Sequence, residues 1–139
     1  DIKNAEKEIE QLRSKLINSS IDDVLSKAVE IKGVKVAVAR FDQLDLEALR
    51  NTGDVIKNKL GSGVVVLGSA YGGKVSFVVT ATKDVVGKGI HCGNIIREVA
   101  KVTGGGGGGR PDMAQAGGKD ASKINEALQY APKVIENQL

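Results

Sequence analysis

A run of six consecutive glycines, Gly104–Gly109, constrains this 139-residue chain more than any other feature of its sequence. Glycine loses more backbone freedom on folding than any other residue, so a run of this length is unfavourable unless the fold requires bare backbone. Three structures would account for it. Another backbone or helix passes too close for Cβ atoms, successive N–H groups turn inward as a nest for phosphate, or the segment is a flexible hinge.

The residues that follow the run argue against pure disorder. Pro111 fixes its own φ and also restricts the backbone of Arg110 before it. The guanidinium of Arg110 would add a fork of donors to a phosphate nest. Asp112 is interpreted as a turn residue rather than as an acid or a ligand. Close approach and anion contact therefore both stay open at this point.

Hydrophobic periodicity predicts helices first and then strands. Apolar residues spaced by three and four, from Ile2 to Leu16, predict an amphipathic helix, and a second helix is predicted over Asp23–Glu30. From Gly33 the period changes to two, so the valines that follow predict a strand. Asp45 is expected to cap the next helix, which Gly53 interrupts and the glycines at 61–63 end.

A hairpin and four further elements complete the pattern. Val64–Ala70 and Val75–Ala81 are rich in β-branched residues and are joined by a turn with two glycines, which is typical of a hairpin. The remaining predictions are a helix over Asn94–Val102, a short extended piece over Met113–Ala116, and final helices from Asp120 onward with a break at Pro132.

This order of elements predicts an α/β fold. Residues 1–32 are expected to form an N-terminal helical subdomain, either packed on the rest or belonging to the end of a long connecting helix. Residues 33–139 are expected to form a globular nucleic-acid-binding subdomain, a compact mixed-sheet α/β sandwich with a glycine-rich loop. The apolar seam from Ile2 to Leu16 also leaves open an oligomerisation module.

The inventory of reactive side chains is almost empty. One cysteine and one histidine exclude an internal disulfide and a zinc site of ordinary ligands, and the lone thiol favours an intracellular setting. No catalytic residue or metal site is predicted. His91 is interpreted as a structural hydrogen-bond donor, Cys92 as a packing residue, and the loop 87–89 as a tight connection rather than a nucleotide site. No apolar run approaches the ~20 residues of a membrane helix.

Charge and aromatic content narrow the range of partners. Residues 72–123 carry eight basic and four acidic side chains and 13 of the 18 glycines, which suits a polyanion or a scattered solvated surface. Two Phe, two Tyr and no Trp are too few for base stacking on aromatic platforms. The candidate nucleic-acid-binding residues are Lys74, Lys88, Arg97, Arg110, Lys119, Lys123, Gly106, Gly107, Gly108, Gly109 and Gln115.

The stretch from Asn94 to Asp120 closely resembles the C-terminal domain of alanyl-tRNA synthetases. Its specific core is Gly-Gly-Gly-Arg-Pro-Asp-Met-Ala-Gln-Ala-Gly-Gly, and the order of the flanking elements extends the resemblance over essentially the whole chain. The sequence is also similar to the domain that accompanies DHH phosphoesterases. Those usually carry a shorter Gly-Gly-Gly-His loop, so Arg110 and the longer insert favour the synthetase.

The resemblance implies a cytoplasmic RNA-binding role in protein biosynthesis. In that family the domain follows the aminoacylation and editing domains of the same chain, packs on the outer corner of alanine tRNA, and lets both activities act on one bound tRNA. The ATP, Mg and Zn sites of the parent ligase lie upstream, so this fragment is expected to hold no cofactor and to be non-catalytic. A homodimer and a phosphoesterase substrate domain are left as alternatives.

Overall fold

A six-stranded mixed sheet forms the centre of the molecule. The computed structural model describes residues 22–42, 44–71 and 74–139, so the helix predicted over residues 2–16 lies outside the described residues. The sheet order is β1-β2-β3-β4-β6-β5, in which β2 and β3 are parallel and all other neighbours antiparallel. The strands are β1 (Val29–Ile31), β2 (Val34–Arg40), β3 (Val64–Tyr71), β4 (Lys74–Ala81), β5 (Gly106–Gly109) and β6 (Met113–Gly118).

Helices cover both faces of this sheet, which confirms the α/β fold class. They are α1 (Leu46–Leu60), α2 (Cys92–Val102) and α3 (Ile124–Gln138), with a helical turn at Lys83–Val86 and a 3₁₀ turn at Ala121–Lys123. Alternate strand residues point to opposite faces. On one face α1 buries Leu49 and Ile56 against β2, β3 and β4. On the other face α2 and α3 form the larger core around Phe77.

Helix α1 connects the parallel strands β2 and β3. As predicted, Asp45 caps it, because the carboxylate accepts a hydrogen bond from the Ala48 N–H at 2.8 Å. Gly61 ends it with a φ of 82°. The predicted interruption at Gly53 is wrong: the helix is continuous, and Gly53 lies buried against the β3 and β4 side chains. Packing on the sheet outweighs the low helix propensity of one glycine.

The predicted helix over Asp23–Glu30 is too long. Residues 22–26 are helical, but Glu30 lies in β1 and pairs with Lys35 of β2. Lys32 and Gly33 both have positive φ, 50° and 85°, which is the backbone of a two-residue hairpin turn. The hairpin therefore spans the predicted domain boundary between residues 32 and 33. The helical character of residues 1–21 stays a prediction.

Two further expectations are corrected. Pro132 does not begin a new helix but lies inside α3, since Ala131, Val134 and Ile135 continue the buried stripe across it. The glycine-rich segment is not a loop over most of its length. Gly106–Gly109 form β5, paired with β6 and last in the strand order, which excludes the flexible hinge for these residues.

Candidate nucleic-acid interface

The hairpin of β5 and β6 has two unlike faces. Residues directly opposite each other on antiparallel strands share a face. Gly107 pairs with Ala116, which is buried in the core beneath α2, so the odd-numbered glycines face α2 and α3. Gly106 pairs with Gly117 and Gly108 with Gln115, so the even-numbered glycines face the side that carries α1.

On the face toward α2, close approach explains the odd-numbered glycines. A Cβ atom at Gly107 would lie 2.5 Å from the carbonyl oxygen of Gln115, and one at Gly109 would lie 2.7 Å from that of Met113. A Cβ at Gly105 would overlap the Gly117 carbonyl. Helix α2 contributes to the crowding, because a Cβ at its Gly93 would lie 2.9 Å from the Gly109 oxygen. These distances leave no room for alanine.

The opposite face is open. None of the residues that the structure describes comes within 4 Å of a Cβ position at either Gly106 or Gly108. A groove of about 180 Å³ runs between this face and α1. Its lining combines bare backbone, two guanidinium groups, one amide and two apolar side chains, from Arg50, Gly108, Gly109, Arg110, Met113, Ala114 and Gln115.

Arg110 lies in the turn at one end of this groove. Its N–H donates to the Met113 carbonyl at 2.8 Å, and the turn is held from outside by two bonds to its carbonyls. Cys92 N–H donates to Pro111 O and Ala81 N–H to Asp112 O, both at 2.9 Å. The guanidinium forms a long ion pair, with Nε 3.8 Å from Asp112 Oδ1 and beyond hydrogen-bond range, and the Arg110 side chain is 76% exposed.

The structure does not bring all predicted basic residues together. Val75 pairs with Gly118, so Lys74 and Lys119 flank the end of the sheet opposite to Arg110. The length of β6 separates the two ends by roughly 20 Å. The remaining predicted basic residues are all exposed. Lys123 lies in the 3₁₀ turn, Lys88 in the connection before α2, and Arg97 on the outer surface of α2.

Arg50 is the lining residue that the sequence did not point to. It is exposed near the start of α1, far from the glycines in the chain. Only the sheet order, which places β6 and β5 beside β4, brings it to the groove. Nothing in the local pattern around Arg50 marks it.

Comparison with known proteins decides the family. The family model described as the DHHA1 domain matches residues 33–137. The C-Ala domain from Aquifex aeolicus alanyl-tRNA synthetase superposes with a TM-score of 0.72 and 34% identity, covering 79% of this chain and 98% of that one. The chain belongs to the DHHA1 domain family. The predicted resemblance is confirmed.

Whole-chain relatives of this DHHA1 domain are alanine–tRNA ligases. The chain is 78% identical over 139 residues to the enzyme of Acetivibrio thermocellus and 55% identical to that of Alkaliphilus metalliredigens. It spans 16% of the length of each. A DHH domain protein described as a member of a family of ribosomal proteins has a TM-score of 0.60 at 15% identity, covering 95% of this chain and 33% of that protein. That likeness shows the fold alone.

The two residues with reactive side chains are structural in this DHHA1 domain. His91 caps α2, with Nδ1 accepting from the Asn94 N–H at 3.2 Å, so its side chain is an acceptor rather than the predicted donor. Gln138 of α3 makes two hydrogen bonds to the His91 backbone. Cys92 is fully buried, as predicted, and burial, with a smaller contribution from the Asp112 charge, raises its pKa to about 12.

Neither metal-binding clusters nor membrane spans occur in the ranges that the structure describes. No three His, Cys, Asp or Glu side chains of residues 22–42, 44–71 and 74–139 group together as metal ligands. None of the helices within these ranges has the length and apolar composition needed to cross a membrane.

Proposed function

We propose that this DHHA1 domain is the C-terminal tRNA-binding module of an alanyl-tRNA synthetase, non-catalytic by itself. In this role it contacts the outer corner of alanine tRNA and holds one tRNA for both aminoacylation and editing by upstream domains of the same chain. The observation that carries the proposal is the exposed guanidinium of Arg110 beside a bare-backbone groove. Identity of 78% to an alanine–tRNA ligase over the whole chain supports it.

The placement of the charges favours recognition of RNA shape and backbone. Arg110 lies at one end of the sheet and Lys74 with Lys119 at the other, roughly 20 Å apart. An extended folded RNA can meet both ends, whereas a mononucleotide reaches only one. With two Phe and two Tyr in the chain, stacking of unpaired bases contributes little. Cytoplasmic location follows from the same proposal.

Affinity measured over a salt series tests this function. Fluorescence anisotropy would compare labelled alanine tRNA with an unstructured RNA of the same length. We expect tighter binding of the folded tRNA and a linear fall of log affinity with log salt, with a slope of about −0.7 to −0.9 per phosphate contact. Equal affinity for both RNAs, or an affinity that does not depend on salt, would contradict the proposal.

Two alternatives have less support. A substrate-binding domain of a DHH phosphoesterase is favoured by fold likeness at 15% identity alone. It predicts preference for short oligonucleotides over tRNA in the same assay. An oligomerisation module depends on the seam from Ile2 to Leu16, outside the described residues. Mass measured by light scattering over a concentration series tests it, and tests whether this chain forms the homodimer left open above.

The cofactor proposal follows from the same assignment. ATP, Mg and Zn would be used at upstream sites of the parent ligase, and this domain would bind none of them. Calorimetric titration of the chain with Mg²⁺–ATP and with Zn²⁺ checks this directly. Saturable heat from either would contradict it.

A further inference from the structure

Contacts among the residues that the structure describes do not explain Gly106 and Gly108. A Cβ at either position would meet nothing within 4 Å, so packing does not require glycine there. Neither residue has a positive φ, since Gly104 is the one member of the run with that conformation. Glycine inside a strand is less stable than alanine, and it marks places where a ligand or another backbone approaches closely. The described residues supply no such backbone on this face, which leaves space there for a ligand.

Arg50 lines the same groove from helix α1. It is exposed on α1, and no carboxylate in the part of the chain that the structure describes pairs with it. Arg110 lines the groove from the β5–β6 turn and is held only loosely by Asp112. Two guanidinium groups from distant parts of the chain thus flank a floor of bare backbone.

The chemistry of this lining selects one part of a nucleic acid. A guanidinium presents a planar fork that matches the oxygens of a phosphate, and it keeps its charge at every physiological pH. No aromatic side chain lines the groove, so it offers no stacking platform of the kind that holds single bases. The pairing of exposed Arg50 and Arg110 with Gly108 in the groove, and with Gly106 next to it on the same strand face, therefore fits the sugar–phosphate backbone of RNA rather than its bases.

We infer that the RNA backbone lies across Gly106 and Gly108, with Arg50 as a second phosphate-binding arm opposite Arg110. This inference rests on the proposed tRNA-binding function and adds to it a residue, Arg50, and a contact surface. It also divides the glycine run: Gly105, Gly107 and Gly109 serve internal packing, and Gly106 and Gly108 serve the ligand.

The test uses one variant of the proposed phosphate-binding side chain, Arg50→Ala, one variant that fills the groove, Gly108→Val, and the matched control Lys59→Ala. Arg50→Ala removes one charge from the exposed surface of α1, and Lys59→Ala does the same at the other end of that helix, where Lys59 pairs with Asp22 at 3.6 Å. We expect Arg50→Ala to weaken tRNA binding about ten- to a hundredfold. Lys59→Ala is expected to leave affinity within about twofold, since Lys59 does not line the groove and its exposed ion pair contributes little to stability.

The salt slope separates a phosphate contact from a base contact. Loss of one phosphate contact lowers the magnitude of the slope by roughly 0.7 to 0.9. Arg50→Ala should show this change, and Arg50→Lys should restore the slope with only part of the affinity, because a point charge cannot form the bidentate pair. A weaker affinity with an unchanged slope would overturn the assignment to the RNA backbone.

The floor is tested by Gly108→Val, whose side chain would occupy the open groove. Thermal unfolding should stay close to that of the unmodified chain, because nothing lies near the Cβ position. Affinity for tRNA should fall about tenfold or more, since the backbone can no longer approach. Should Arg110→Ala weaken binding while Arg50→Ala and Gly108→Val leave it unchanged, the inference fails and the proposed function stands. Absence of tRNA binding by the unmodified chain would overturn both.

Discussion

The two faces of the β5–β6 hairpin are built from the same residue type for opposite reasons. On the face toward α2, a Cβ at Gly107 would lie 2.5 Å from the Gln115 carbonyl oxygen, so the partner strand β6 excludes any side chain. On the face toward α1, Cβ positions at Gly106 and Gly108 point into empty space. One face is closed by the protein, and the other is open to a ligand.

This difference shows what a homopolymeric run conceals. A strand has a period of two, and in an ordinary strand the alternation of apolar and polar residues displays it. Six glycines display no alternation, although the structure gives Gly106–Gly109 a strict one. Close approach therefore accounts for Gly105, Gly107 and Gly109, whereas ligand contact, which the sequence also left open, is our proposal for Gly106 and Gly108.

The largest effect should come from adding a single methyl group to the closed face. Gly107→Ala is expected to lower the free energy of unfolding by about 3 kcal/mol, because the new Cβ meets backbone that cannot rotate away. Gly106→Ala is the matched control and should be neutral or slightly stabilising, since its Cβ meets nothing and glycine is the less stable residue in a strand. Urea unfolding followed by circular dichroism measures both. Equal losses in the two variants would break the comparison.

On the open side, Arg110→Ala should weaken tRNA binding by about 1–3 kcal/mol without changing the melting temperature. Arg110→Lys should recover only part of the loss. Lys119→Ala, at the far end of the sheet, should show a smaller loss, because an exposed lysine offers one point charge. The double variant should lose the sum of both within about 0.5 kcal/mol, as expected for sites this far apart. An Arg110→Ala variant with full affinity at low salt would exclude this end of the sheet from the interface.

Elements with a strong local pattern were predictable from sequence. The valine-rich strands β2, β3 and β4 and the helices α1 and α2 follow from periodicity, and Asp45 caps α1 as expected. The strand β1 was missed because its pairing with β2 depends on a hairpin turn that begins at Lys32. Lys32 adopts a positive φ, which is uncommon for lysine and which its sequence does not indicate. Tertiary pairing there overrides the helical pattern.

The candidate site was predictable only in part, and for a different reason. Arg110, Gln115 and the glycines are neighbours in sequence, so their shared location follows from the hairpin. Arg50 reaches them through the strand order β4-β6-β5, which is a property of the whole sheet. Conversely, Lys119 is close to Gln115 in sequence but lies at the opposite end of the sheet from Arg110, because β6 is extended.

The third prediction concerns the helix that closes the packed face. His91 caps α2 through Nδ1, so His91→Ala should lower the free energy of unfolding by about 1 kcal/mol. His91→Asn supplies another side-chain acceptor and should recover most of that loss. The two bonds from Gln138 to the His91 backbone stay available in both variants. Chemical unfolding measures the difference. No recovery by asparagine would show that the imidazole acts through packing rather than as a cap.

The fourth prediction involves no change in stability and is measured as the reactivity of a thiol. Cys92 is the one cysteine of the chain, so thiol labelling reports on this position alone. Burial raises its pKa to about 12. At pH 8 the thiolate fraction is then roughly one in ten thousand, against about a quarter for an exposed thiol. Iodoacetamide should therefore label the folded chain very slowly and the urea-unfolded chain at an ordinary rate.

The same labelling reaction links Cys92 to the closed face. Cys92 begins α2, and its N–H donates to Pro111 in the turn that follows the glycines. A methyl group at Gly107 should push β5 away from β6 and loosen the hairpin that α2 packs against, so local opening should expose the thiol and speed labelling under native conditions. Gly106→Ala, which leaves that contact untouched, should label as slowly as the unmodified chain. Rapid labelling of the unmodified chain would mean that α2 does not close this face, and the contrast between the two faces would fail with it.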